Sequence, residues 1–72
     1  MGKTEKEILE LLLKYWVEHN KQHGEEFKKW ARKAKLFRAE EVHNYILKAS
    51  RKMDEANEFL LKALEKLKKG NR

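Results

Sequence analysis

Two histidines, His19 and His23, are the residues of this chain best suited by type and spacing to do chemistry. On an α-helix, residues four apart lie on one face, about a turn from each other. Two imidazoles placed in this way commonly supply two nitrogen ligands to one metal ion. Imidazole suits divalent transition metals, so zinc and nickel are the candidate cofactors. The pair therefore predicts a metal site.

The remaining ligands of such a site would come from the second half of the chain. If that half folds back on the first, Asp54 and Glu58 fall opposite the pair and are the predicted carboxylate ligands. A zinc protease is excluded because the base expected directly after the first histidine is replaced by Asn20. In the alternative interpretation the histidines form a structural polar layer, hydrogen-bonded to Asp54 or Asn57. A pH switch is a third interpretation.

A long first helix is predicted to position the histidines. Thr4 and Glu7 have the spacing of a capping box, which marks a helix start. The apolar stripe then follows steps of four and three, close to the 3.6-residue period, and passes through Gly24 in phase. We expect one helix over residues 4–35, with a break at Gly24 and a three-helix bundle as the alternative. The stripe consists of Leu12, Trp16, His19, His23, Phe27, Trp30 and Ala34.

A second helix is predicted over residues 39–69, ending before Gly70. Its apolar residues keep a strict heptad spacing, and His43 falls beside them as a boundary residue. The short connection predicts an all-α, antiparallel two-helix hairpin, with paired residue numbers adding to roughly 76. The heptad stripe consists of Val42, Ile46, Ala49, Met53, Ala56, Leu60, Ala63 and Leu67.

More apolar surface surrounds one end of this hairpin than a single stripe can bury. Exposed surface of this kind favours association, and a two-fold dimer forming a four-helix bundle is the expected solution. The chain's 72 residues form one domain, 1–72, and a core this small gains from a partner. The predicted dimer interface consists of Leu9, Leu12, Leu13, Trp16, Leu60, Leu61 and Leu64.

The composition restricts the class of protein. The chain has no cysteine, so disulfides are excluded, and its 42% charged residues are typical of heat-stable proteins. The longest apolar run, Leu11 to Leu13, is too short to span a membrane, and no signal-peptide core is present. We therefore expect a thermostable cytoplasmic protein. The net charge of +6 favours acidic partners.

A basic stretch before the connection gives an alternative function. Its six positive residues are interleaved with Trp30 and Phe37, a pattern that nucleic-acid binders also show. We expect Trp30 to be packed in the core, which weakens this interpretation. No histidine is placed to activate Ser50, so an enzyme is not expected. The candidate nucleic-acid residues are Lys28, Lys29, Arg32, Lys33, Lys35 and Arg38.

The run Trp16-Val-Glu-His-Asn-Lys-Gln-His23, followed by Phe27, Trp30 and Ala31, resembles a short prokaryotic helical domain of unknown function. That domain has the pattern W-x-E-H-N-x-x-H and occurs in archaeal and bacterial proteins, and residues 53–57 (Met-Asp-Glu-Ala-Asn) fit it too. The resemblance covers most of the chain, implies a helical hairpin and gives weight to the two histidines. Family members carry a further histidine where this chain has Tyr15, so no complete ligand set is implied. The resemblance implies no reaction or substrate.

Overall fold

Two long helices form an antiparallel hairpin in the computed structural model, which describes residues 4–69. Helix α1 spans Glu5–Leu36 and helix α2 spans Glu40–Lys68. Within the described residues there is no strand, which confirms the all-α hairpin. Gly70, the predicted stop of the second helix, lies outside these residues. Neither described helix has a stretch long and apolar enough to cross a membrane.

Helix α1 begins at the predicted capping box. The Glu7 N–H donates to the Thr4 hydroxyl at 3.1 Å, and the Thr4 N–H donates to Glu7 Oε1 at 3.0 Å. These bonds satisfy two donors that the first helical turn leaves without a partner. The helix then continues without interruption through Gly24, so the three-helix alternative is wrong. One interior glycine costs about 1 kcal/mol, which thirty-two helical residues tolerate.

The turn between the helices is a Schellman motif. The Ala39 N–H donates to the Ala34 carbonyl at 2.9 Å, and the Arg38 N–H donates to the Lys35 carbonyl at 3.0 Å. Arg38 has a φ of 68°, the left-handed conformation that this motif requires and that glycine usually supplies. The motif ends α1 sharply. Because it needs only three residues between the helices, α2 starts directly against the end of α1.

Three polar side chains of α2 set the register of the hairpin. His43 Nδ1 lies 2.7 Å from the Ala31 carbonyl oxygen. The Ser50 hydroxyl oxygen lies 3.5 Å from the Gly24 carbonyl oxygen. Asn57 Nδ2 donates to the carbonyl of residue 17 at 3.1 Å. Donors and acceptors both repeat every seven residues, and the paired numbers add to 74 each time. The predicted sum of roughly 76 is two higher than the sum of these three pairs.

The contact between the helices, termed the hairpin seam, is made by small and polar residues as well as apolar ones. Every seam residue is buried or half-buried, and the most buried are Leu13, Ala31, Ala34 and Ser50. On α1 the seam comprises Glu10, Leu13, Val17, Asn20, Gly24, Phe27, Ala31 and Ala34. On α2 it comprises His43, Ile46, Ser50, Met53, Asn57, Leu60, Leu64 and Leu67.

The predicted stripes coincide with the seam at only some positions. Trp16 and Trp30, predicted to be packed inside, are 39% and 51% exposed. His43, predicted beside the contact, lies in it. The physical reason is that each helix carries two apolar stripes one residue apart. On α1 the stripe with the smaller side chains forms the hairpin, whereas on α2 the hairpin is formed by the stripe that contains Ser50 and Asn57, and Ala49, Ala56 and Ala63 lie outside it. A serine side chain is short, so Ser50 reaches a carbonyl of α1 only where the backbones approach closely.

Candidate functional site

The hairpin leaves one broad apolar surface uncovered. Each of its residues directly precedes a seam residue in the sequence. Successive residues of an α-helix are rotated by about 100° around its axis, so these side chains point about 100° away from the seam. Because the helices are antiparallel, this same backward rotation turns both sets of side chains toward one side of the hairpin. We term this surface the apolar face, and all its residues are exposed. It comprises Leu9, Leu12, Trp16, His19, His23 and Trp30 of α1, and Val42, Tyr45, Ala49, Ala56, Phe59 and Ala63 of α2.

The two helices contribute different side chains to the apolar face. Along α1 large residues recur every seventh position, whereas α2 has Ala49, Ala56 and Ala63 at the same interval. An open groove at one end of the hairpin is lined by Leu9 from α1 and by Ala63 and Leu67 from α2. The apolar-face residues of the two helices therefore lie on the same side of the hairpin. The heptad spacing of Ala49, Ala56 and Ala63 is the sequence signal for this face, although the sequence predicts these alanines in the contact between the helices.

The opposite side of the hairpin is mainly charged, with Leu11 and Leu61 as exposed apolar residues among its charges. Lysines follow seam residues at every heptad of α1, at Lys14, Lys21, Lys28 and Lys35. Lys14 and Lys28 pair with carboxylates one turn away at 3.5 Å and 3.7 Å. Exposed pairs of this kind contribute at most about 0.5 kcal/mol each and require no burial. This side is therefore suited to water, and the apolar face is the side suited to a partner.

The two histidines lie at the centre of the α1 half of the apolar face. Their Nε2 atoms are 3.0 Å apart, and their rings meet edge to face with centroids 4.4 Å apart. Tyr15 stacks on His19 at 5.3 Å, and Phe27 lies 6.3 Å from His23. The rings are exposed in a single hairpin, so neither histidine lies in the contact between α1 and α2. They do converge on one point, as a pair of metal ligands must.

The predicted carboxylate ligands are not brought to this pair within one chain. Asp54 and Glu58 directly follow seam residues, whereas His19 and His23 directly precede them, so the two sets lie on opposite sides of the hairpin. Among residues 4–69 no three His, Asp or Glu side chains are grouped closely enough to hold a metal ion. The prediction placed His19 and His23 in the contact between the helices, whereas the seam lies one residue further along α1, and this offset separates the histidines from Asp54 and Glu58. Asn57, the other predicted partner, bonds the α1 backbone instead.

The predicted dimer-interface residues divide into three groups. Leu9, Leu12 and Trp16 lie on the apolar face and are exposed in the single hairpin. Leu13 is buried within the hairpin, and Leu60 and Leu64 are half-buried in the seam, so these three have little surface left for a partner. The remaining residue, Leu61, is exposed but follows a seam residue and so lies toward the charged side.

The predicted nucleic-acid residues are exposed or half-buried, but they are spread around α1. Lys28, Arg32 and Lys35 lie toward the charged side, and Lys29 points outward. The Lys33 ammonium sits 4.8 Å from the centre of the Trp30 ring, a cation–π contact. Arg38 is in the turn, next to the exposed Phe37. Trp30 is therefore accessible, contrary to the expectation that it is packed in the core.

Fold and exposed surface together define an all-α helical hairpin with one unpartnered apolar face. The chain belongs to the family described as Domain of unknown function (DUF8180), whose model matches residues 9–67. The match spans both helices, including the seam and the apolar face, and confirms the expected membership of a short domain family without an assigned function. No curated protein and no solved structure matches the chain.

Proposed function

We propose that this protein is a non-enzymatic helical module that works by self-association, in which two copies pack their apolar faces together as a two-fold four-helix bundle. The observation that carries the proposal is the apolar face itself, which extends from Leu9 to Trp30 on α1 and from Val42 to Ala63 on α2, with Glu26 and Lys52 as the charged residues along it. Trp30, Val42 and Phe59 are each at least half exposed in the single hairpin. Large uncovered apolar surfaces on soluble domains mark sites of association.

The shape of the hairpin supports the same conclusion. Its radius of gyration is 16.4 Å, whereas a compact domain of this length has about 11 Å. Two helices side by side form a single layer, and domains are normally built from at least two packed layers. A second hairpin stacked on the apolar face supplies the missing layer, as in four-helix bundles.

Charge favours one arrangement of the two copies. Residues 28–38 hold six basic residues and no acidic one, whereas the first turns of α1 carry Glu5, Glu7 and Glu10. With the turns at opposite ends, α1 lies antiparallel to the partner's α1, and each basic stretch lies beside the partner's acidic start. Placing both turns at one end would instead bring the two basic stretches together.

Side-chain size supports this arrangement independently. The seam register puts Asp54 level with Asn20, near the middle of both helices, so we place the two-fold axis at this level. Along α2, Phe59 then packs against the partner's Ala49, and Tyr45 packs against the partner's Ala63. Large residues meet small ones, as good packing requires. A surface that matches a rotated copy of itself is the requirement for a two-fold dimer.

A pair of matched substitutions tests the proposal. Leu12→Glu places a carboxylate on the apolar face, where burial without a partner costs several kcal/mol. Leu61→Glu makes the same chemical change at a comparably exposed leucine toward the charged side. By light scattering we expect the first variant to be monomeric and the second to remain dimeric, both with unchanged helical circular dichroism. Equal behaviour of the two variants would place the interface elsewhere.

Nucleic-acid binding at the turn end is the second candidate function. The exposed Trp30 ring, capped by Lys33, is the observation in its favour, because base stacking needs an accessible aromatic. A gel shift that weakens with salt and with Lys28, Lys29, Arg32 and Lys33 neutralised supports this function. A wild-type chain that shifts no DNA or RNA at low salt rules it out.

A further inference from the structure

The spacing of the two imidazoles matches one metal ion. Zinc–nitrogen bonds of about 2.0–2.1 Å, with the bond angles of tetrahedral or octahedral coordination, put two neighbouring nitrogens roughly 2.8–3.4 Å apart. The Nε2 atoms of His19 and His23 are 3.0 Å apart already. The aromatic rings on either side, Tyr15 and Phe27, restrict how far the imidazoles can turn away. Little rearrangement is therefore needed to form two bonds to a metal.

Two ligands are not enough for a protein metal site, and one hairpin offers no third. Structural sites hold zinc by four protein ligands, and catalytic sites use three. Within the described residues no further His, Asp or Glu side chain is grouped closely enough with the histidine pair to hold a metal ion. The missing ligands must come from another molecule, and the pair lies on the face that a second copy covers in the proposed bundle.

The position of the pair along α1 decides what that second copy brings. Helix α1 spans Glu5–Leu36, so its midpoint lies between Asn20 and Lys21, and the two histidines flank this midpoint. In a two-fold dimer, residues beside the axis meet their own counterparts. With α1 antiparallel to the partner's α1, the histidine pairs of both copies lie within about one helical turn of the axis and beside each other across it. Four imidazoles then surround one point on the axis.

We infer that the dimer holds one divalent transition-metal ion on its two-fold axis, bound by His19 and His23 of both copies. Imidazole ligands suit zinc, nickel, copper and cobalt, and the four-nitrogen set is common to all of them. An open groove beside the pair is lined by Gln22, Glu25 and Glu26, and the two glutamate carboxylates favour a cation. The inference rests on the proposed self-association, and it assigns the metal to the assembly and not to one chain.

Zinc titration of the purified full chain, followed by calorimetry, tests the inference. We expect one zinc ion per two chains. His19→Gln and His23→Gln should each weaken binding about 100-fold or more, since even removal of outer-shell partners costs up to 100-fold. Gln22→Ala is the matched control, because it changes the same groove and removes no imidazole. This control should keep the wild-type affinity within about twofold.

Light scattering with and without zinc separates the two proposals. A zinc-free dimer that binds no zinc leaves self-association standing and overturns the metal site. A monomer that becomes a dimer only with zinc supports the shared site and shows that the apolar face alone is insufficient. One zinc per chain, or binding unaffected by both histidine variants, overturns the shared site. A chain that stays monomeric with and without zinc contradicts both proposals.

Discussion

Ser50 of α2 is almost fully buried against Gly24 of α1, with its hydroxyl 3.5 Å from the glycine carbonyl oxygen. This contact lies at the centre of the hairpin seam, between equivalent contacts one heptad away on each side. A single hydrogen bond of this length is weak. The three contacts together favour one register, because sliding the helices by one residue would misalign all of them.

Gly24→Ala should stabilise the protein by about 0.5–1 kcal/mol, since alanine lowers the backbone entropy cost of the helix. A Cβ at this position would meet nothing within 4 Å, so no clash offsets the gain. The free energy of unfolding from urea denaturation, at fixed protein concentration, measures the effect. Ala31→Gly, one heptad along the same seam, is the control and should destabilise. A destabilised Gly24→Ala variant would mean that the helices pack closer there than the structure shows.

Asn57→Leu should raise the free energy of unfolding by about 1–2 kcal/mol. The Oδ1 atom of Asn57 is buried without a hydrogen-bond partner in the described part of the chain, and leucine removes this cost while adding apolar contact. Asn57→Asp, which buries a charge at the same place, should destabilise. Denaturation curves compare the three proteins. Reduced stability of the leucine variant would show that the amide is fully satisfied and contributes net stability.

Arg38→Gly should stabilise the turn by about 1 kcal/mol, because glycine adopts the left-handed conformation without the steric cost of a Cβ. Arg38 has a φ of 68°. Arg38→Ala removes the same charge but keeps the Cβ, so comparing the two variants isolates the backbone effect. Their melting temperatures should differ in favour of glycine. Equal melting temperatures would indicate that the turn relaxes at no cost in the alanine variant.

Exchanging a large and a small residue tests the packing proposed between the α2 helices. Ala49→Phe alone sets two large side chains against each other on either side of the axis and should dissociate the dimer. Adding Phe59→Ala restores one large and one small residue at each contact, so the double variant should be dimeric again. Sedimentation equilibrium gives the masses. A double variant that stays monomeric would contradict the antiparallel pairing of α2 with the partner's α2.

Local signals in the sequence were sufficient to predict the elements. The capping box at Thr4 and Glu7 fixes the start of α1 through bonds between neighbouring residues, and the predicted boundaries lie within one residue of those observed. The end of α1 was harder to place, because its left-handed residue is Arg38 and not a glycine. The continuity of α1 through Gly24 followed from the unbroken period of its apolar residues.

The register could not be predicted from periodicity, because both apolar stripes on each helix satisfy it. On α2 the predicted stripe shares Ile46, Met53, Leu60 and Leu67 with the seam. Its other positions fall one residue before His43, Ser50 and Asn57, which form the contact. Their partners are backbone carbonyls, which no side-chain pattern reveals. The same error placed His19 and His23 in the hairpin interior. Their convergence was predicted correctly, since it depends only on the four-residue spacing within one helix.

The mass of the purified chain in solution tests the central claim, association through the apolar face, most directly. Light scattering coupled to size exclusion, run at several concentrations, should give twice the chain mass of 8.7 kDa. Dilution should return the monomer, because the interface forms between separate molecules. A mass of 8.7 kDa at every concentration, with or without zinc, would contradict the account.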